Sequence, residues 1–126
     1  MKPEAQFERD LAISALLTNC QYIKIPDTKM INAKNRHLNR EQKRPFDGIL
    51  ITPKINVCIE CKYNYNQLEG HQKDFGRQIE DINGQWCVFR KVKLTHKTVY
   101  RVEKSDGKVL FETEKIEEMI KYVWEE

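Results

Sequence analysis

Three charged residues on two neighbouring strand-like runs carry the chemistry this sequence offers. Asp47 lies within the run Phe46-Asp47-Gly48-Ile49-Leu50-Ile51, while Glu60 and Lys62 lie within Val57-Cys58-Ile59-Glu60-Cys61-Lys62. Side chains alternate across a strand, so Glu60 and Lys62 share one face and Ile59 and Cys61 take the other. If Thr52-Pro53-Lys54-Ile55 forms a four-residue hairpin loop, Ile51 pairs with Asn56 and Asp47 lies opposite Glu60. Opposed residues of an antiparallel pair have Cβ atoms roughly 4.5–5.5 Å apart. Two carboxylates that close repel, and they destabilise a sheet unless a cation sits between them. Oxygen ligands of this kind suit Mg²⁺ or Mn²⁺ rather than zinc. Such an ion would lower the pKa of a bound water and polarise a phosphoryl oxygen, and Lys62 would orient that water or stabilise developing charge. The competing reading is a surface hairpin with an exposed Lys–Glu pair, an arrangement that contributes little. The apolar flanks Ile49, Leu50, Ile51, Val57 and Ile59 favour a central hairpin, where polar residues need a purpose.

The elements that must position these groups follow from periodicity. Phe7, Leu11, Ala12, Ala15 and Leu16 fall at helical spacing and predict a helix over about residues 4–17. Gln21 to Ile25 alternates as a strand and stops at Pro26-Asp27. Residues 28–44 are polar and basic without a clear period, which predicts a loop that carries function or is partly disordered. After the hairpin, Asn66-Gln67-Leu68-Glu69 has the form of a helix start and Asn83-Gly84 that of a stop. Between them Leu68, Gln72, Phe75, Ile79 and Ile82 form one stripe, in which Gln72 is an inward-facing amide. Strands follow at 86–92, 98–102 and 109–111, and a last helix over about 113–125 buries Ile116, Met119, Ile120 and Val123. The order is α-β-β-β-α-β-β-β-α, with no repeat and no linker, which predicts one α/β domain over residues 1–126.

Asp47, twelve intervening residues and then Glu60-Cys61-Lys62 resemble the Asp…Glu-x-Lys signature of the PD-(D/E)XK nuclease superfamily. Gly70-His71-Gln72 on the following helix resembles the pattern seen in Holliday-junction resolvases of bacteria, archaea and their viruses. The similarity runs from Lys43 to about Phe89, and the signature's proline stands at Pro45 with Phe46 between it and Asp47. The resemblance implies a restriction-endonuclease-like fold, a central mixed β-sheet flanked by helices. It implies that Asp47 and Glu60 bind Mg²⁺ or Mn²⁺, that the Cys61 backbone carbonyl completes the site and that Lys62 serves the attacking water. Members add a helix-one acid, for which Glu8 in Glu8-Arg9-Asp10-Leu11 matches best, with Glu4 on the same stripe. Gln72 would approach the site from the second helix. The implied function is a metal-dependent endodeoxyribonuclease acting on branched DNA such as Holliday junctions. A homodimer is expected from the two paired cuts that resolution requires.

The sequence contains 22 Lys and Arg against 19 Asp and Glu, a net +3 that conceals an uneven distribution. Residues 24–44 hold seven bases and two acids, a balance of +5; residues 87–101 hold five bases and no acid. Residues 103–126 hold eight acids and four bases. Clustered bases gain affinity for nucleic acid by releasing counterions, so Lys29, Lys34, Arg36, Arg40, Lys43, Arg44, Arg90, Lys91 and Lys93 are the candidate DNA contacts. The apolar stretch Leu11 to Leu17 is far short of the roughly 20 residues a membrane span needs. No signal-peptide pattern opens the chain, so a cytoplasmic protein is expected, in a bacterium, an archaeon or a virus-infected cell, and Cys20, Cys58, Cys61 and Cys87 are expected as free thiols. Cys58 and Cys61 have CxxC spacing, but residues three apart on a strand point to opposite faces, which disfavours zinc. Two other functions compete: a restriction-like or repair nuclease on duplex DNA, and a non-catalytic DNA-binding module. Adjacent carboxylates oppose phosphate binding, so retaining Asp47, Glu60 and Lys62 together disfavours the pure binder.

Overall fold

The computed structural model describes residues 1–26 and 44–125. The basic residues Lys29, Lys34, Arg36, Arg40 and Lys43 therefore lie outside the described residues. Helix α1 (Pro3–Leu17) leads to strand β1 (Gln21–Lys24), then to the hairpin of β2 (Gly48–Ile51) and β3 (Asn56–Tyr63). Helix α2 (Gly70–Asp81) precedes β4 (Trp86–Lys93), β5 (Thr98–Glu103), β6 (Val109–Thr113) and helix α3 (Ile116–Glu125). The six strands form one sheet in sequence order, β1-β2-β3-β4-β5-β6. All neighbours are antiparallel except β3 and β4, which run parallel because α2 carries the chain back between them.

Strand alternation divides the molecule into layers. Val57, Ile59 and Cys61 of β3 face a core shared with Phe7, Leu11 and Ala15 of α1 and Met119 and Ile120 of α3. Cys58, Glu60 and Lys62 point to the opposite face, over which α2 lies with Gly76 against the Trp86 ring and Phe75 against Phe46. Leu16, expected inside, is exposed, and the buried stripe of α1 runs instead through Phe7, Leu11 and Ala15 with Ser14 at its edge.

Helix ends follow local rules. At the end of α2 the Asn83 N–H donates to the Glu80 carbonyl and the Gly84 N–H to that of Ile79, with Asn83 at φ +59°. This is the Schellman closure that Asn83-Gly84 predicts. The start of α2 differs from expectation: Glu69, not Asn66, is its N-cap, and it forms a capping box with Gln72. Arg90 donates from Nη1 to the carbonyls of both Asn64 and Asn66, 2.8 Å each, which holds that stretch as a loop. Ile82, past the last turn, is exposed and leaves the stripe.

Candidate active site

The predicted hairpin register is observed, from Ile51 opposite Asn56 to Gly48 opposite Ile59. Pairing with β2 ends there, while β3 continues to Tyr63. The Asp47 N–H still donates to the Ile59 carbonyl at 3.0 Å, but the next β3 donor, the Cys61 N–H, donates to Asp47 Oδ2 at 2.7 Å. The Asp47 carboxylate thus replaces a backbone partner at the notch where the two strands part. Cys61 is seen to act here through its N–H; the carbonyl role is implied by the resemblance alone.

Glu60 sits deeper, 2% exposed. Its Oε2 accepts from Gln72 Nε2 at 2.9 Å and lies 3.7 Å from the buried Lys62 ammonium. Its Oε1 is buried without a hydrogen-bond partner. Burial raises the pKa of Glu60 to about 9, and the neighbouring Asp47 charge adds to the shift while Lys62 opposes it. The capping box orients the Gln72 amide: Oε1 accepts from the Glu69 N–H at 2.9 Å, which leaves Nε2 for Glu60.

The third acid is Glu4 rather than Glu8. Ligand oxygens of Glu4, Asp47 and Glu60 all lie within 4.8 Å of one another, the one such group of His, Cys, Asp or Glu among the described residues. Burial pushes the Glu4 carboxyl up, with Lys62 opposing and Asp47 adding. Glu8 is turned away to accept from the Tyr22 hydroxyl and to pair with Lys24 Nζ at 3.4 Å. Tyr22 reaches it over Gly48, where a Cβ would stand 2.4 Å from the Tyr22 ring and 2.6 Å from the Ile23 carbonyl oxygen. Tyr22 is thus buried and Ile23 exposed, a reversal of what hydropathy alone suggests, and a glycine directly after Asp47 is the sequence signal for that close approach.

An orphaned acceptor on a buried carboxylate, beside two more carboxylates and with no His or Cys in the group, is a donor set that fits a hard divalent cation. Among the described residues no zinc-type cluster forms: all four cysteines are free, and Cys20, Cys61 and Cys87 are buried.

The expected DNA contacts divide. Arg44 lies at the site, with Nη2 2.6 Å from Asp47 Oδ1. Arg90 is no surface contact: it is buried, and its Nε donates to Glu103 at 2.9 Å. It stands directly opposite Arg101, which takes its own acid, Glu112, at 2.6 Å. Lys91 is half-buried and Lys93 exposed, and alternation sets both on the face opposite Arg90.

An acid-bearing first helix, an antiparallel run of three strands and a helix crossing to a parallel fourth strand define an α/β protein of restriction-endonuclease-like fold. Among solved structures the chain is similar to Hjc of Archaeoglobus fulgidus, a Holliday junction resolvase from an archaeal hyperthermophile, with a TM-score of 0.53 and 15% identity. That similarity covers 80% of this chain and 75% of the other. The resemblance to PD-(D/E)XK nucleases and junction resolvases is thereby matched at the level of the fold. No protein-family model matches the sequence, and no curated protein matches it.

Proposed function

We propose that residues 1–126 act as one nuclease domain, a metal-dependent endodeoxyribonuclease that hydrolyses DNA phosphodiester bonds, selective for branched DNA and working as a homodimer in the cytoplasm. The observation that carries this reading is the buried, partnerless Oε1 of Glu60 within a cluster of three carboxylates. Asp47, Glu60 and Glu4, with the Cys61 carbonyl, would hold Mg²⁺ or Mn²⁺. When bound, the ion supplies Lewis-acid polarisation of a phosphoryl oxygen and a more acidic water.

The chain's own groups do the rest. Gln72 and Lys62 converge on Glu60 Oε2 and leave its other oxygen buried without a partner. The Cys61 N–H fixes Asp47 in the same way through Oδ2. Both carboxylates are therefore preorganised, so little side-chain entropy remains to be lost on binding. Lys62 places a positive charge where a nucleophilic water or a developing phosphorane would be stabilised, and its burial strengthens that field. The wider fold supports DNA as the substrate only through its similarity to a junction resolvase; the basic segment 28–44, which leads directly into Asp47, adds the charge a phosphate backbone needs. No helix among the described residues is long and apolar enough to cross a membrane.

The test is cleavage of a labelled four-way junction beside a linear duplex of the same arm sequence, with Mg²⁺ and with chelator. Junction cutting that requires Mg²⁺ and exceeds duplex cutting is expected. Equal cutting of both would leave a general nuclease, and binding without cutting under any divalent metal would remove the enzymatic reading.

A further inference from the structure

Both oxygens of Asp47 are already engaged. Oδ2 accepts from the Cys61 N–H, a donor fixed in β3, and Oδ1 lies 2.6 Å from Arg44 Nη2. The Oδ2 partner is fixed in β3, so Oδ1, held by a side chain, is the oxygen whose partner can change when a cation draws on Asp47. A guanidinium and a divalent ion on one carboxylate oxygen would stand within roughly 4 Å of each other, where like charges repel strongly in a partly buried site. The two therefore compete for Asp47.

Arg44 is the partner able to leave. Its side chain is 30% exposed, whereas those of Lys62 and Glu60 are 8% and 2% exposed. Its one other partner among the described residues is the Ile25 carbonyl, which accepts from Nη1 at 3.1 Å just beyond the end of β1. Charge requirements point the same way. Asp47 takes its counter-charge from Arg44, while Lys62 stands beside Glu60 instead.

We infer that Arg44 is an internal counter-ion that holds Asp47 in the metal-free protein and competes with the divalent cation for Asp47 Oδ1. Its displacement is the local rearrangement that accompanies metal binding, and it sets the metal affinity lower than the carboxylates alone would give. The inference rests on reading Glu4, Asp47 and Glu60 as a metal site.

Calorimetric titration of the full chain with Mn²⁺, without DNA, tests it on wild type, Arg44→Gln and Asp47→Asn. Arg44→Gln should bind Mn²⁺ about tenfold more tightly than wild type, as expected for removing one charge-assisted contact, with Asp47→Asn weaker than both. As a check that does not depend on a variant's folding, the Arg44 guanidinium ¹⁵N resonances of wild type should shift on Mg²⁺ addition as the ion pair is released. Equal or weaker Mn²⁺ binding by a folded Arg44→Gln, or guanidinium signals that Mg²⁺ leaves unmoved while it binds, would overturn the competition. Mn²⁺ binding that is absent from both wild type and Arg44→Gln, or unaffected by Asp47→Asn, would instead overturn the metal site itself.

Discussion

Glu60 is the residue on which the site's pH behaviour turns. With its pKa raised from the ordinary carboxylate value of 4.5 to about 9, the folded protein holds a proton that the unfolded chain has already released across that window. The stability Glu60 contributes is therefore present at acid pH and is lost as pH climbs through the window, by at most about 1.4 kcal/mol per pH unit. Urea unfolding of the metal-free protein at pH 5.5 and 8.5 should show this loss, and Glu60→Gln should flatten it. Metal binding requires the carboxylate, so Mn²⁺ affinity should rise over the same range. Gln72 offers a sharper test of a single hydrogen bond. Gln72→Glu keeps an acceptor for the Glu69 N–H but removes the donor to Glu60, and cleavage should fall by about 10–100-fold with α2 intact by circular dichroism. At this scale the sequence was informative where spacing fixes neighbours: strand alternation and loop length place Asp47, Glu60 and Lys62 together. It was uninformative where rotamers decide, as between Glu4 and Glu8, which share one helical stripe and differ in that Tyr22 and Lys24 engage the second.

Elements bring these residues together through two close approaches that periodicity does not report. Gly48 lets the Tyr22 ring cross β2, and Gly76 lets α2 rest on Trp86. In Gly48→Ala the new methyl would meet the Ile23 backbone oxygen as well as a side chain, so no rotamer change relieves it, and a loss on the order of 1–3 kcal/mol is expected from denaturant melts. Arg90 ties the β3–α2 connection and β5 together from the buried face of β4, a placement that charge along the sequence does not reveal. Arg90→Ala leaves Glu103 buried and unpaired, which should cost about 3–5 kcal/mol. In the same comparison Lys93→Ala should leave stability almost unchanged. The start of α2 shows the same limit in another form: Asn66-x-x-Glu69 and Glu69-x-x-Gln72 are overlapping capping patterns, and the choice between them is made by Arg90, 24 residues beyond Asn66.

Across the whole molecule the charge division seen along the chain is partly undone by folding. Glu103 and Glu112 come from the acidic stretch and neutralise Arg90 and Arg101 of the second basic one, so residues 87–101 do not form one basic face. What remains beside the carboxylates is Arg44 at the end of the first basic stretch, and a bound divalent cation would turn the cluster itself from repelling phosphate to attracting it. The element order was readable from the sequence because each element carries its own period and stops. The most direct measurement is single-turnover cleavage of a labelled four-way junction in Mg²⁺ by wild type and Asp47→Asn, with junction binding of each measured in Ca²⁺. Cleavage that falls on the order of a hundred- to a thousandfold while binding is kept is the predicted result. Wild-type cutting by a folded Asp47→Asn would contradict a nuclease centred on these carboxylates.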